Sequence, residues 1–150
     1  MADGVFYRIV VPTDFSACSE QAWALARRLA AASGAELVLA HVLVETPLYS
    51  EGAVDMRHVK DAYAAVRKWA KETLERWAEA ARAEGPKARV VLRTGVPHEE
   101  IVALATDERA DLVVLGTHGR GGLGRTFLGS VADRVIRLAP CPVLSVREPA

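Results

Sequence analysis

The shortages in this sequence narrow its class before any motif is considered. Only two cysteines occur in 150 residues, Cys18 and Cys141. Their spacing suits neither a disulfide framework nor a metal-ligand motif, so they read as reduced thiols that serve packing. No net charge is present, because 19 lysines and arginines balance 19 aspartates and glutamates. A protein that grips nucleic acid by neutralising phosphates carries a basic excess, so no nucleic-acid partner is expected. No apolar run approaches the ~20 residues of a bilayer crossing. The opening Met1-Ala2-Asp3-Gly4 also lacks the basic-then-apolar order of an export signal. The expectation is a cytoplasmic chain with no membrane partner.

What is present fits one globular domain. Hydrophobic residues make up 51% and charged residues 25% of the chain, near the globular averages of about 45–50% and 25%. A chain of this length buries roughly 70% of its unfolded surface in a single core. A balance of charge offers little electrostatic resistance to self-association.

Two kinds of segment alternate. Residues 6–12, 36–44, 88–93, 111–115 and 142–146 are short, β-branched, nearly continuous apolar runs, which suit strands buried on both faces. The third is expected to be shorter and near an edge. Between them lie helical patterns. Ser16 is positioned to cap the first, Ala22, Leu25, Ala26 and Leu29 recur at helical spacing, and Gly34 ends it. Residues 45–55 read as a loop. A long helix follows over 56–83, with Val59, Tyr63, Val66, Trp69/Ala70, Leu74, Trp77 and Ala81 on one stripe. Pro97 opens a third helix to residue 108, with Ile101, Leu104 and Ala105 inward; residues 128–138 form a fourth. Five strands alternating with four helices predict an α/β, doubly wound parallel sheet in one domain, residues 1–150.

Six of the eleven glycines fall between Gly116 and Gly129. This strand, glycine loop and helix succession suits an anion: backbone N–H groups can curl round it, and the helix adds unpaired donors and the positive end of its dipole. Ser130 stands in the first helical turn, and Arg120 and Arg125 add charge. The stretch Gly119 to Gly124 satisfies G-x-G-x-x-G, yet only one strand follows it and no acid lies at the required distance. Gly119 to Thr126 approximates a P-loop with Arg125 in place of the essential lysine.

Gly116-Thr117-His118-Gly119, nine further residues, then Gly129-Ser130 gives G-x2-G-x9-G-S. That pattern resembles the ATP-binding branch of the universal stress protein family. IVVPTDFS (residues 9–16), LAHV (39–42), GVPHEEIVALA (95–105) and the whole stretch 110–147 are similar to its other signatures. The resemblance implies strand order 3-2-1-4-5, with the ligand at the topological switch point between the first and fourth strands. It implies that Pro12, Thr13 and Asp14 line the cleft, Asp14 near the ribose and the metal–phosphate region. Val42 would meet the adenine edge through its backbone. Gly116, His118, Gly119, Arg120, Gly129, Ser130 and Val131 would surround the phosphates. ATP, with Mg²⁺ on the phosphates, is the implied cofactor, and a homodimer through the last strand the implied assembly.

Some residues have simpler readings. Asp14 could merely cap a helix beside Ser16. His41, in mid-strand, reads as hydrogen-bonded within the core, and Trp69 and Trp77 as core or interface rather than a base-stacking platform. A response-regulator receiver is excluded, because the third strand ends in Arg93-Thr94-Gly95 where a phosphorylatable aspartate is required. No side chain besides Asp14 is evidently placed to orient an attacking water. The functional expectation is a nucleotide-dependent switch or stress-response factor with slow or no ATP hydrolysis. The alternative is a nucleotide-free dimeric adaptor of the same fold. An aspartate at Gly129 is expected to abolish binding by occupying the anion's place.

Overall fold

The computed structural model describes residues 4–44, 56–119 and 127–148. Its elements run β1 (Arg8–Pro12), α1 (Ala17–Ser33), β2 (Glu36–Leu43), α2 (Met56–Ala83), β3 (Ala88–Thr94), α3 (Pro97–Asp107), β4 (Leu112–Gly116), α4 (Ser130–Leu138) and β5 (Val143–Val146). The sheet order is β3-β2-β1-β4-β5, and every neighbouring pair is parallel. The doubly wound α/β architecture and the order 3-2-1-4-5 are thus as expected.

Alternation along the strands divides the core into two layers, since successive side chains point to opposite faces. Ile9, Val11, Leu37, Leu39, Leu112 and Val114 pack against α1 and α2. Val10, Val38, Ala40, Val113 and Leu115 pack against α3 and α4. Both faces of the central strands are covered, which explains why they read as unbroken apolar runs.

Helix α1 begins and ends where its sequence says it should. The Ser16 side chain accepts from the Ser19 N–H at the N-cap, and Gly34 closes the helix at φ 76°. Its deepest residues include Trp23 and Ala30 along with Ala22 and Ala26, so the buried stripe is turned slightly from the expected line through Leu25. Strand β3 lies at an edge as expected, but it is not short: seven of its residues pair with β2. Its neighbour explains the length, because β2 itself runs eight residues from Glu36 to Leu43.

Helix α2 is long for this sheet. Its 28 residues span about 42 Å at ~1.5 Å each, against roughly 26 Å for the longest strand at ~3.3 Å each. Ala70, Leu74, Ala78 and Ala81 are fully buried, whereas residues 57–69 are exposed save Val59, which is half-buried. The stripe beginning at Val59 and Tyr63 therefore overshoots the core instead of packing into it.

The lower, N-terminal edge of the sheet is pinned by charge. Arg8 and Arg89 both pair with Glu36 and Glu108, joining β1, β2, β3 and the end of α3. The hydrogen bond from Arg89 holds the Glu108 carboxyl below its ordinary value of 4.5, against the opposing effect of burial. At Glu36 burial works to raise the value, and the hydrogen bonds and charges of Arg89 and Arg8 outweigh it, so this carboxyl is lowered too. Carboxyls lowered on folding contribute stability above their unfolded values and lose it as pH falls through their folded ones. Urea unfolding from pH 7 downward is therefore expected to show stability falling once pH drops below the unfolded value of 4.5. The Glu108→Gln variant is expected to start less stable at pH 7, show a shallower acid slope, and converge on the wild type at low pH.

Candidate functional site

A cleft of about 880 Å³ opens at the C-terminal ends of β1, β2 and β4, bounded by the start of α4 and by α2. It lies at the switch point, where β1 runs beside β4 and their following helices leave for opposite faces. The chain's route creates it: two neighbouring connections diverge, and a gap remains above the strand ends.

The first wall is the β1–α1 turn. The Thr13 hydroxyl accepts from the Phe15 N–H at 3.0 Å and donates to the Ser19 hydroxyl at 2.9 Å. Asp14 Oδ1 accepts from the Ser16 N–H at 3.0 Å. These short-range side-chain bonds fold the turn. Phe15 takes φ 64° within it, a left-handed conformation that costs a non-glycine residue about 1–3 kcal/mol. Asp14 does not cap the helix, since the Ser16 side chain does so; Asp14 closes the turn before it through Oδ1, and its other oxygen faces across the cleft. A β-carbon added to Gly119 would lie 2.6 Å from Asp14 Oδ2. Bare glycine backbone therefore lets the first wall meet the second.

That second wall is the end of β4 and the start of α4. Thr117 organises it: its N–H donates to the Val146 carbonyl at 2.9 Å and its carbonyl accepts from the Gly129 N–H at 2.7 Å. The Thr117 hydroxyl is hydrogen-bonded to His118 Nδ1 at 2.9 Å. His118 Nε2 is buried and has no hydrogen-bond partner among the described residues, an arrangement that costs free energy unless something else occupies the site. Gly129 is the N-cap of α4 and supplies no side-chain acceptor, so among the described residues no side chain caps the first-turn N–H groups, the donors an anion would use. Ser130 begins that helix with an exposed side chain, and Val131 follows it, half-buried.

The third wall comes from β2 and α2. Val42 lines the cleft beside His41. The His41 Nδ1–H donates to the Thr13 carbonyl at 2.7 Å, the hydrogen bond expected of it, but the ring also lines the cleft and packs against Phe15. Trp77 joins the core cluster as anticipated. Trp69 does not; it is 46% exposed and lines the cleft together with Val66. Sequence reasoning missed Phe15 and Trp69 as cleft residues. The mismatch between helix and strand lengths was the available signal, since it obliges part of α2 to overhang the strand ends.

Pro12, Thr13, Asp14, Val42, Gly116, His118, Gly119, Gly129, Ser130 and Val131 thus all lie around one cleft. Arg120, Arg125, Thr126 and the glycines between them lie outside the described residues. Two of the glycines also answer to packing. A β-carbon at Gly116 would meet the backbone of Cys18 at 2.9 Å and of Ser19 at 3.0 Å, and one at Gly129 would meet the Thr117 carbonyl at 2.9 Å. An aspartate at Gly129 is therefore expected to disturb the loop whether or not an anion binds there, which removes it as a diagnostic variant.

Among the described residues, no cluster of three or more His, Cys, Asp or Glu side chains could hold a metal ion. No described helix is long and apolar enough to cross a membrane.

A parallel sheet wound on both faces, with a cleft at its switch point, defines a doubly wound α/β domain of the kind in which ligands commonly bind above the strand ends. The profile of the Universal stress protein family matches residues 6–147, and the chain belongs to that family. It is 37% identical to the Universal stress protein MJ0531 of Methanocaldococcus jannaschii, over 98% of this chain and 85% of that one. The solved structure of MJ0577, from the same organism, superposes with a TM-score of 0.83 at 30% identity, covering 96% of this chain and 97% of that one. A universal stress protein in complex with cAMP aligns with a TM-score of 0.64 at 30% identity, over 94% of this chain and 96% of that one. The Archaeoglobus fulgidus protein in complex with dAMP does so with a TM-score of 0.66 at 26% identity, over 95% and 98% respectively.

The glycines should separate on substitution. Gly116→Ala forces a β-carbon against α1 backbone and is expected to cost about 1–3 kcal/mol of stability, the range for overpacking. At Gly119 the nearest atom is the end of one side chain, so Gly119→Ala should unfold at nearly the wild-type urea midpoint. Chemical denaturation of the two variants side by side checks both.

Proposed function

We propose that this chain binds ATP, with Mg²⁺ on the phosphates, in the cleft between β1 and β4 and acts as a nucleotide-dependent switch with slow or no hydrolysis. One observation carries the reading. The Asp14 carboxylate, the bare backbone of Gly119 and the open N-terminus of α4 converge on one cleft that also holds a buried, unpartnered imidazole nitrogen. A carboxylate suits ribose hydroxyls, and uncapped N–H groups suit phosphate. Gly119, Arg120, Ser130 and Val131 are assigned to the phosphates, His118 to their border, and the Val42 backbone to the adenine edge. The cAMP and dAMP complexes of relatives support an adenine nucleotide as the ligand class.

Mg²⁺ fits such a site only as a companion of the nucleotide. It needs few protein ligands and is commonly held by one or two carboxylates together with phosphates and water. Asp14 is the one carboxylate among the described cleft residues, and the metal would supply charge neutralisation there. With Asp14 assigned to the ribose and the metal, no other carboxylate among the described cleft residues is left to orient a water, which favours slow or no turnover.

The assembly proposed is a homodimer through β5. That strand is the sheet edge opposite β3, and Leu144 on it, with Ile136 and Leu138 of α4, is exposed. An open sheet edge with exposed apolar side chains on it and on the neighbouring helix favours pairing with a second copy. A cytoplasmic location belongs to the same reading. The adaptor alternative keeps one argument: the packing at Gly116 and Gly129 would preserve those glycines with no nucleotide bound.

Calorimetry decides between the two. ATP is expected to bind and AMP to bind more weakly, because the tail is gripped. Ser130→Ala should cost about 0.5–3 kcal/mol of ATP affinity, the range for one hydrogen bond that is charge-assisted at most. Absence of heat and of any melting-temperature rise at millimolar ATP would leave the adaptor.

A further inference from the structure

The β2–α2 side of the cleft is built of rings. Phe15 meets His41 with centroids 4.6 Å apart at 41°, and meets Trp69 edge-on at 4.9 Å and 73°. Trp77 buttresses Phe15 from behind at 5.8 Å and 83°. His41 is itself held by its bond to the Thr13 carbonyl. The Phe15 backbone is kept at φ 64°; such strain persists where the surroundings over-determine it, and it clusters at ligand sites. Trp69 stands at the end of the exposed N-terminal half of α2, lines the cleft, and has nearly half of its surface exposed. No lysine or arginine lines the cleft among the described residues. The ring end is therefore the place for a flat, uncharged group, while the open donors of α4 serve an anion at the other end.

We infer that Trp69 is the flat surface on which the nucleobase lies, with Phe15 as the residue that positions it. This rests on the nucleotide reading above. Val42 is adjacent to His41 in β2, so a base whose edge meets the Val42 backbone comes beside this wall. Edge and face then do different work. Backbone hydrogen bonds distinguish one purine from another, whereas stacking responds to ring area and favours purines over pyrimidines. Stacking on an aromatic side chain is lost on truncation to alanine with roughly a 5- to 150-fold fall in affinity.

The test measures ATP, GTP, CTP and inorganic tripolyphosphate against the wild type, Trp69→Phe and Trp69→Ala by calorimetry. Trp69→Ala is expected to weaken ATP and GTP by similar factors within that range, to weaken CTP less, and to leave tripolyphosphate unchanged. Trp69→Phe should keep most of the affinity. Because Trp23 is buried and Trp77 joins the core, an ATP-induced change in tryptophan emission should vanish in Trp69→Phe. Unchanged ATP affinity and purine preference in Trp69→Ala would overturn this inference and leave the nucleotide reading standing. If Trp69→Ala fails to fold, an emission change that persists in Trp69→Phe overturns it equally. Failure of the wild type to bind any nucleotide would remove the parent reading and this one together.

Discussion

The close approach of two backbone segments across the β1–β4 seam is the constraint on which the rest of the site depends. Asp14 can reach over Gly119 only because no β-carbon stands there, and α1 can settle against the end of β4 only because Gly116 has none. Gly129 meets the Thr117 carbonyl for the same reason. A glycine loses more conformational freedom on folding than any other residue, by roughly 0.5–1 kcal/mol relative to alanine. Placing three at one seam is tolerable because the strands below are fully buried and hold it from beneath. Ile9 with Leu112 and Val10 with Val113 are the register pairs that do so.

The two ends of the sheet are treated differently. At the N-terminal ends, Arg8, Glu36, Arg89 and Glu108 satisfy one another across three strands. At the C-terminal ends, among the described residues, the buried His118 Nε2 lacks a partner and α4 starts without a side-chain cap, while at the foot of β4 one oxygen of Asp111 is likewise buried without a partner. Left-handed Phe15 adds backbone strain at the C-terminal ends. Burial and ion pairing at one end thus carry the free-energy cost of an open site at the other, as expected of a rigid frame that presents a ligand cleft.

Much of this was legible in the sequence, and the reason is periodicity. Apolar runs five to nine residues long, separated by helical stripes, have few packings besides a doubly wound sheet; Ser16 and Gly34 mark the ends of α1 unaided. The cleft's location followed from topology. What the sequence left out was the outcome of competing uses for one residue type. A glycine pattern that reads as a phosphate cradle is also what tight backbone packing demands, and Gly116 and Gly129 show the second use directly. Of the two readings of Trp69, core or interface, the first fails, because a helical stripe says which face is apolar but not where the sheet beneath it stops. Comparing the length of α2 with that of β2 would have exposed the overhang.

A switch requires more than a ligand site, because a nucleotide shifts an equilibrium only by binding two arrangements with different affinity. The hydrogen bonds of Thr117 indicate where such a difference would be read. One side of the residue is bound to Gly129 and His118 at the cleft, and the other to Val146 at the end of the edge strand β5. Cys18 ties α1 to the same point through its own bond to the Val146 carbonyl. A phosphate that drew Gly129 or His118 toward itself would act on Thr117 and hence on the edge strand β5, through which the homodimer is proposed. If the proposed homodimer forms at this edge, occupancy would then be reported through the strength of self-association. By linkage, association would tighten or loosen nucleotide binding by the same factor. Ligand affinity and dimer affinity are therefore coupled in this fold only if that short hydrogen-bonded path changes between the two states.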